Sequence, residues 1–490
     1  MIDIGSIVDG TFAWIWDHLF AIIGWIIAMI AFVVVPFRRP PAEARNWLLI
    51  FFALPWVALL IYWLIGRPQY AKQRQERVAD LPRILDRITR QSGLDKAEIS
   101  PRLCEDNHSL ANLAHGLGQF PAVDGNRIAP LGDYHATFDR IVEDIDRARH
   151  HVHVEFYIFK NDRAGDRVLA ALERASTRGV TCRLLIDALG SYGSVAAIKR
   201  RLQGAGVEPA GIEVHDILPL RRRLSSSRVD LRNHRKIVVV DGRVGYTGSQ
   251  NIWAPEDHGR QANRELAVRV TGPLVVQLQA IFVCDWYLET LEQLVEEAMF
   301  PPLEPGEAGL AAQMIATGPD NPVGGMDLIV AQAMHNASEE IVIVTPYFVP
   351  NDSLLTAIRG AVLRGVRVRL ITAAKCDQYL AGLAQRSYYE EILSLGAEIH
   401  LFGPEFLHAK HSRVDHEVSI LGSSNMDMRS FELNAEIDLL CYDRAFAEDL
   451  QQVENRYLEQ STPVSFAEWK HRPLMHKVLE NTARMLSELI

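Results

Sequence analysis

Two histidines, each followed two positions later by a lysine, stand in the same short phrase at two distant places in the chain. His234-Arg235-Lys236 leads to Asp241 and then to Gly248-Ser249-Gln250-Asn251; His408-Ala409-Lys410 leads to Asp415 and then to Gly422-Ser423-Ser424-Asn425. In both copies the glycine follows the aspartate by seven positions. A third element recurs further on, Asn263-Arg264-Glu265 after the first copy and Asn434-Ala435-Glu436 after the second, each opening an apolar run. Residues of these types can transfer a phosphoryl group. A neutral imidazole attacks phosphorus, and a second, protonated imidazole gives its proton to the departing alkoxide. Two lysines hold the non-bridging oxygens, where charge must be stabilised. An alcohol or water then discharges the histidine adduct. The cationic work falls to Lys236 and Lys410, so the scheme calls for neither a metal ion nor a cofactor. Glu265 and Glu436 are of the type that orients an imidazole and stabilises its cation. The small Gly-Ser-x-Asn segments let backbone N–H groups, with the Asn251 and Asn425 amides, approach a phosphate.

A single His-x-Lys phrase arises by chance, and a lone histidine near a strand is usually packed or solvated. Recurrence of the phrase with both trailing elements points instead to one active site built from two halves. Asp241 and Asp415 complete the two triads by holding the motif's geometry. Which glutamate serves which histidine, and which histidine attacks, is open at this level.

At these residues the chain resembles the phospholipase D superfamily, and more narrowly the bacterial cardiolipin synthases. The resemblance is carried by Arg232-Asn233-His234-Arg235-Lys236-Ile237, Tyr246-Thr247-Gly248-Ser249-Gln250-Asn251, Cys284-Asp285-Trp286, Leu407-His408-Ala409-Lys410 and the run from Gly422 to Glu436. One departure is the spacer His411-Ser412-Arg413-Val414, more polar than the apolar strand expected there. The resemblance implies an α/β fold with two tandem phospholipase D-like domains in pseudo-twofold arrangement, behind an N-terminal two-helix transmembrane hairpin. It implies a membrane-bound phosphatidyltransferase that joins two phosphatidylglycerol molecules into cardiolipin and releases glycerol. By analogy His234 is the nucleophile and His408 the acid and then the base. The rivals are a hydrolytic phospholipase D and a non-catalytic membrane scaffold; decay to a scaffold would usually damage a motif, and both triads are whole.

The rest of the chain sets the surroundings. At 490 residues it has room for an anchor and two domains, and a formal net charge of −10 argues against a nucleic-acid partner. Five scattered cysteines form no CxxC or Cys/His cluster, which suggests reduced thiols in a cytosol-facing region. Two uncharged apolar runs, 18 residues over 19–36 and 19 residues over 47–65, read as transmembrane spans with Trp14, Trp16, Trp47 and Trp63 near their ends. The first run is too long for a signal peptide and has no Lys or Arg before it. Pro55 lies inside the second run, where a membrane helix tolerates it. Arg38, Arg39 and Arg45 fall between the spans, and Arg67, Lys72, Arg74, Arg77 and Arg83 beyond them, so the positive-inside rule places the catalytic region in the cytoplasm by five to three. A bacterial cell membrane is the expected location.

Beyond the anchor, alternation of helix and strand patterns repeats. A helix over 134–149 precedes a strand over 151–159, and a helix over 326–338 precedes a strand over 340–349. Domain boundaries follow: hairpin 1–66, helical linker 67–105, first domain 106–300, Pro/Gly linker 301–309, second domain 310–465, and a C-terminal amphipathic helix 466–490. The arginines Arg221, Arg222, Arg223, Arg228, Arg232 and Arg235 read equally as a lipid-headgroup patch and as a solvated loop. The apolar stripe Leu474, Val478, Leu479, Met485, Leu486 and Leu489 is expected to pack on its own domain rather than on a bilayer. His115, His151 and His153 stand outside the repeat and read as structural or solvated.

Overall fold

The computed structural model describes residues 4–39, 41–66, 72–97, 103–203, 212–219, 230–303, 309–319 and 324–487. Arg221, Arg222, Arg223, Arg228 and most of the expected linker at 301–309 lie outside them. The chain divides into two compact units, Met1–Ala71 with Arg221–Asp230 and Glu488–Ile490, and Lys72–Leu220 with Leu231–Ser487.

In the first unit a helix runs over Ile4–Val34, followed by Pro41–Ala53 and Pro55–Ile65. The second expected span is therefore two helices, and they double back. Trp47 packs on Tyr62 with ring centroids 5.0 Å apart, and Phe51 on the same ring at 5.6 Å. Along one straight helix, residues 47 and 62 would be about 22 Å apart. Arg39 donates to the Gly66 carbonyl at 2.8 Å, so the end of the third helix returns beside the connector where the second begins. The cause is local. Leu54 leaves helical geometry at φ −143 and ψ 69, and Pro55 starts a new helix. The tip of this helical hairpin meets the first helix, with Phe20 stacked on Trp56 at 4.8 Å. Trp47 is buried among Ala31, Val35, Phe51 and Ala58 and is not an interfacial anchor. Among the described residues no helix is long and apolar enough to cross a membrane.

Among the described residues of the second unit, sixteen strands form one sheet. From one edge the first half runs Ile212–Ile217, Thr181–Asp187, His151–Phe156, Lys236–Val240, Val244–Gly248, Ala267–Thr271 and Val123–Leu131. The second half, from the opposite edge, runs Ser461–Pro463, Glu398–Phe402, Arg367–Ala373, Glu340–Val344, His411–Val414, Val418–Gly422, Asn434–Tyr442 and Leu310–Thr317. Apart from the extra edge strand the order is the same in both. The halves meet where Val123–Leu131 lies antiparallel to Leu310–Thr317. In each half the strand before the site is parallel to one neighbour and antiparallel to the histidine motif's strand, the arrangement a crossover helix and a hairpin produce.

Helices Tyr134–Asp146, Arg163–Thr177, Asp352–Leu363 and Arg444–Glu459 begin at Asp133, Asp162, Asn351 and Asp443, whose side chains accept from their first free amides. Separate apolar cores lie under the two halves. The helix Leu274–Thr290 is buried on every side as far as Leu288, mostly by apolar residues, with Gln277, Gln279 and Asp285 hydrogen-bonded inside.

Two expectations change, and the expected strand at the polar spacer is accounted for. The polar spacer His411–Val414 is a fully buried strand, because Arg413 reaches Glu454 at 2.9 Å and Glu340 at 2.7 Å. The strand expected over 340–349 breaks after Val344 and resumes at Phe348–Val349, with Pro346 between. The C-terminal stripe does not pack inward. Along Leu474–Ser487, Leu474, Met475, Val478, Leu479 and Met485 are exposed, while the Glu480 carboxylate is buried on Arg472 at 2.8 Å and Arg484 lies over the Tyr388 ring at 4.0 Å. Ion pairs and ring contacts with helix Tyr379–Leu395 hold the polar face inward.

Candidate active site

The two histidine segments are placed by short pairings with the opposite half. Arg232–Asn233 runs parallel to Asn434–Ala435, and the His234 amide donates to the Ala435 carbonyl at 2.8 Å. Symmetrically, Arg264 bridges Leu407, and the His408 amide donates to the Arg264 carbonyl at 2.8 Å. Each pairing sets a histidine beside the glutamate of the other copy. His234 Nδ1 lies 2.8 and 3.0 Å from the two Glu436 carboxylate oxygens, and His408 Nδ1 lies 2.8 and 2.9 Å from those of Glu265. The His–Glu pairs are crossed between halves.

Each glutamate is itself held. Ser249 Oγ donates to Glu265 at 2.5 Å and Ser423 Oγ to Glu436 at 2.5 Å, while Asn263 and Asn434 donate side-chain amides at 3.3 and 3.2 Å. The serines of the Gly-Ser-x-Asn segments therefore serve the carboxylates. Their glycines answer to the neighbouring strand: a Cβ on Gly248 would sit 2.5 Å from Ala267 Cα, and one on Gly422 2.3 Å from the Ile437 carbonyl. Asn251 Oδ1 accepts from the Ile158 amide at 3.2 Å, and the Asn425 amide donates to Ser430 Oγ at 3.1 Å. Lys236 and Lys410 are buried, each with Nζ on the carbonyl of its own histidine, at 2.5 and 2.8 Å.

Asp241 and Asp415 are not at the histidines. They stand at the far ends of strands Lys236–Val240 and His411–Val414, at φ 53 and 51. Asp241 accepts from the amides of Arg149, His150 and His151, and Asp415 from those of Ser338, Glu339 and Glu340. The left-handed backbone, which aspartate tolerates, turns each hairpin, and the carboxylate fixes the start of the adjacent strand.

Further residues gather behind the first histidine. Tyr157 packs edge-on against His234 at 4.9 Å. Arg235 joins Asp285 at 2.6 Å, the Glu436 carbonyl at 3.0 Å and the Thr317 carbonyl at 3.1 Å, tying the halves together at the carboxylate that holds His234. Asn233 donates to Glu155 at 2.7 Å, and burial beside Asp285 raises the Glu155 carboxyl well above its usual range. The second copy carries Leu407 and Ala409 at the positions of Asn233 and Arg235, so this network is one-sided. Its only sequence signal was the difference between the two copies. His151 and His153 are buried, with Gln279 at 2.7 Å from His153, and burial holds both imidazoles below their ordinary range.

Electrostatics separate the two pairs. Burial, helped by Lys236, Lys410 and the facing His408, holds the His234 imidazole well below its ordinary value. Burial also pushes the Glu436 carboxyl up, against the pull of Lys236 and Ser423. That pair resists separation of charge. For Glu265, burial acts upward but the His408 cation, Lys410 and Ser249 outweigh it, and its carboxyl lies below the usual range. His408 is lowered by burial and Lys410, with Glu265 opposing. Burial brings Lys236 down to about 7 and Lys410 to about 8. An anionic phosphodiester entering among them favours both ammonium forms. Among the described residues no cluster of His, Cys, Asp and Glu is arranged to hold a metal ion.

Residues 141–286 and 330–458 match the sequence family described as cardiolipin synthase, PLD-like domain. Similar proteins include a cardiolipin synthase of Geobacillus thermodenitrificans, 32% identical over 95% of this chain and 92% of that one, and cardiolipin synthase A of Proteus mirabilis, 34% identical over 95% and 96%. Among solved structures, a phosphatidylserine synthase of Haemophilus influenzae shares the fold, with a TM-score of 0.61 at 16% identity over 78% of this chain and 98% of that one. A duplicated site with crossed His–Glu pairs thus lies inside the two matched stretches, and the chain belongs to the cardiolipin synthase family, with its phospholipase D-like domains.

Proposed function

We propose that the chain is a phosphatidyltransferase that converts two phosphatidylglycerol molecules to cardiolipin and glycerol through a phosphatidyl-histidine. The crossed pairs carry this reading. With Nδ1 of each ring on a carboxylate, Nε2 is the nitrogen left to react. His234, kept neutral, attacks the donor's phosphorus. The bond to the terminal glycerol oxygen breaks, and that oxygen takes the proton of His408, whose cation Glu265 supports. His408 then accepts the proton of a second phosphatidylglycerol's terminal hydroxyl as its oxygen attacks phosphorus and the N–P bond breaks. Lys236 and Lys410 hold the non-bridging oxygens throughout, with Asn251 and Asn425 close by in the same segments. The nucleophile is His234 in this reading because its imidazole is held well below the ordinary value, whereas Glu265 opposes the lowering of His408.

The N-terminal unit is the membrane anchor in this reading. Phe20, Ile22, Trp25, Ile26, Met29 and Ile30 stand exposed on the first helix, a surface suited to lipid rather than water. That helix carries the uncharged run over 19–36, and its exposed apolar face lies in the bilayer. The helical hairpin Pro41–Ile65 enters and returns on one side, which replaces the expected second span.

Single substitutions test the shared site. His234→Ala and His408→Ala should each abolish turnover, since one imidazole cannot be nucleophile and acid at once. A variant keeping more than about a tenth of the wild-type rate would contradict it.

A further inference from the structure

The site is bordered by two apolar pairs at equivalent places in the two halves. The strands Thr181–Asp187 and Arg367–Ala373 hold the same position in the sheet order. After the first, Leu189 and Tyr192 are 42% and 74% exposed; after the second, Tyr379 and Leu380 are 75% and 51% exposed.

Neither pair is on a slack loop. Asp187 accepts from the amides of Leu189 and Gly190, both at 2.9 Å, and Ser191 Oγ donates to the Tyr157 carbonyl at 2.9 Å. A Cβ on Gly190 would meet that same carbonyl at 2.4 Å, so the loop is pressed onto the residue that packs against His234. On the other side, Tyr347 donates to Asp377 at 2.5 Å and receives the Gln378 amide at 3.1 Å. Tyr347 lies 6.3 Å from the Phe406 ring, which lies 5.8 Å from His408. Each pair is thus linked to its own histidine through aromatic residues.

Each half thus holds a tyrosine and a leucine outward on anchored backbone after equivalent strands, in a turn after the first and in the first turn of helix Tyr379–Leu395 after the second. Tyrosine and leucine together suit a lipid interface, with the aliphatic chain among acyl groups and the phenol at headgroup depth. Two such pairs also match a reaction that takes two lipids. We propose that Leu189 with Tyr192, and Tyr379 with Leu380, seat the mouth of the site on the lipid surface, each beside the lipid bound by its own half. This rests on the phosphatidylglycerol reading above.

The full chain is assayed on phosphatidylglycerol vesicles, and in detergent on dihexanoyl phosphatidylglycerol below its micelle concentration. Leu189→Ser/Tyr192→Ser and Tyr379→Ser/Leu380→Ser should each lower the vesicle rate by about tenfold and leave the monomeric rate within about twofold. Tyr192→Trp and Tyr379→Trp should retain the vesicle rate. Equal loss on both substrates, or none on vesicles, overturns the proposal. A readout independent of catalysis is a bimane probe at position 192 or 379 in the reconstituted chain, quenched by acyl-chain nitroxide lipids. Absence of quenching overturns the lipid contact even if cardiolipin is made. Quenching without any cardiolipin would instead fault the assigned reaction. Quenching that depends on protein concentration rather than on nitroxide lipid would mean the pairs meet a second copy of the chain, and also overturns it.

Discussion

At the scale of single residues, the account turns on which carboxylate serves which imidazole. Glu265→Gln removes the negative charge from His408, and Glu436→Gln removes it from His234, although each pair spans two halves of the sheet. Either change should lower kcat/KM by at least about 10²-fold. Their pH profiles should differ. In the proposed mechanism, reaction of free enzyme needs His408 and both lysines protonated and His234 neutral. With His408 lowered from its ordinary value, Lys236 at about 7 and Lys410 at about 8, kcat/KM should fall as pH rises through and above the His408 value. Glu265→Gln weakens the imidazolium of His408 and should move that basic limb to lower pH. Glu436→Gln weakens the imidazolium of His234 and should move the acidic limb to lower pH instead. Measured profiles in which each glutamate shifts the limb of its own half's histidine would contradict the crossing. The repeated phrase, the lysines and the two glutamates were all legible in the sequence. The crossing was not, because it depends on parallel pairing of segments such as Arg232–Asn233 and Asn434–Ala435, some two hundred positions apart. Asp241 and Asp415 share the histidines' motif, yet an extended strand carries them to its far end. Arg235 reads in sequence as part of a headgroup patch or a solvated loop, yet it is buried on Asp285 and the Glu436 carbonyl, neither near it in sequence.

At the scale of elements, period and composition read most strands and helices closely, and failed where a tertiary partner changed the accounting. His411–Val414 is the expected strand, but its polarity is explained only by Glu454 and Glu340, which cannot be matched to Arg413 by spacing alone. That match should be costly to break. Glu454→Ala leaves the fully buried Arg413 side chain short of one carboxylate, and should destabilise the fold by about 3–5 kcal/mol. The shift is read from denaturant or thermal unfolding of the full chain in detergent; a loss below about 1 kcal/mol would mean Glu340 suffices alone. The run over 47–65 failed for a different reason. Hydropathy counts apolar residues without regard to direction, and the reversal at Leu54–Pro55 appears only once Trp47 and Tyr62 are seen together. The C-terminal helix failed because its buried side is fixed by ion pairs rather than by its stripe.

At the scale of the whole molecule, the doubled-back hairpin changes the expected topology. Two spans would return the chain to the side of its N-terminus. With the first helix lying in the bilayer and the hairpin Pro41–Ile65 re-entrant, the proposed anchor predicts that positions 6, 43 and 73 all face the cytoplasm, as Arg38, Arg39 and Arg45 favour under the positive-inside rule. Single cysteines at Ser6, Glu43 and Gln73, in a background lacking the native thiols, are labelled in intact spheroplasts and after lysis with an impermeant maleimide. All three should react only after lysis. Labelling of Glu43→Cys alone from outside would restore the two-span arrangement. In the proposed mechanism the duplicated sheet, whose halves meet at Val123–Leu131 and Leu310–Thr317, brings two half-sites to one phosphorus. The most direct test of that claim is product analysis by mass spectrometry with phosphatidylglycerol as the sole lipid, in the presence of a strong chelator. The account predicts cardiolipin and free glycerol in equal amounts, little phosphatidic acid, and neither product from His234→Ala or His408→Ala. Phosphatidic acid as the main product, or cardiolipin made by either single-histidine variant, would contradict it.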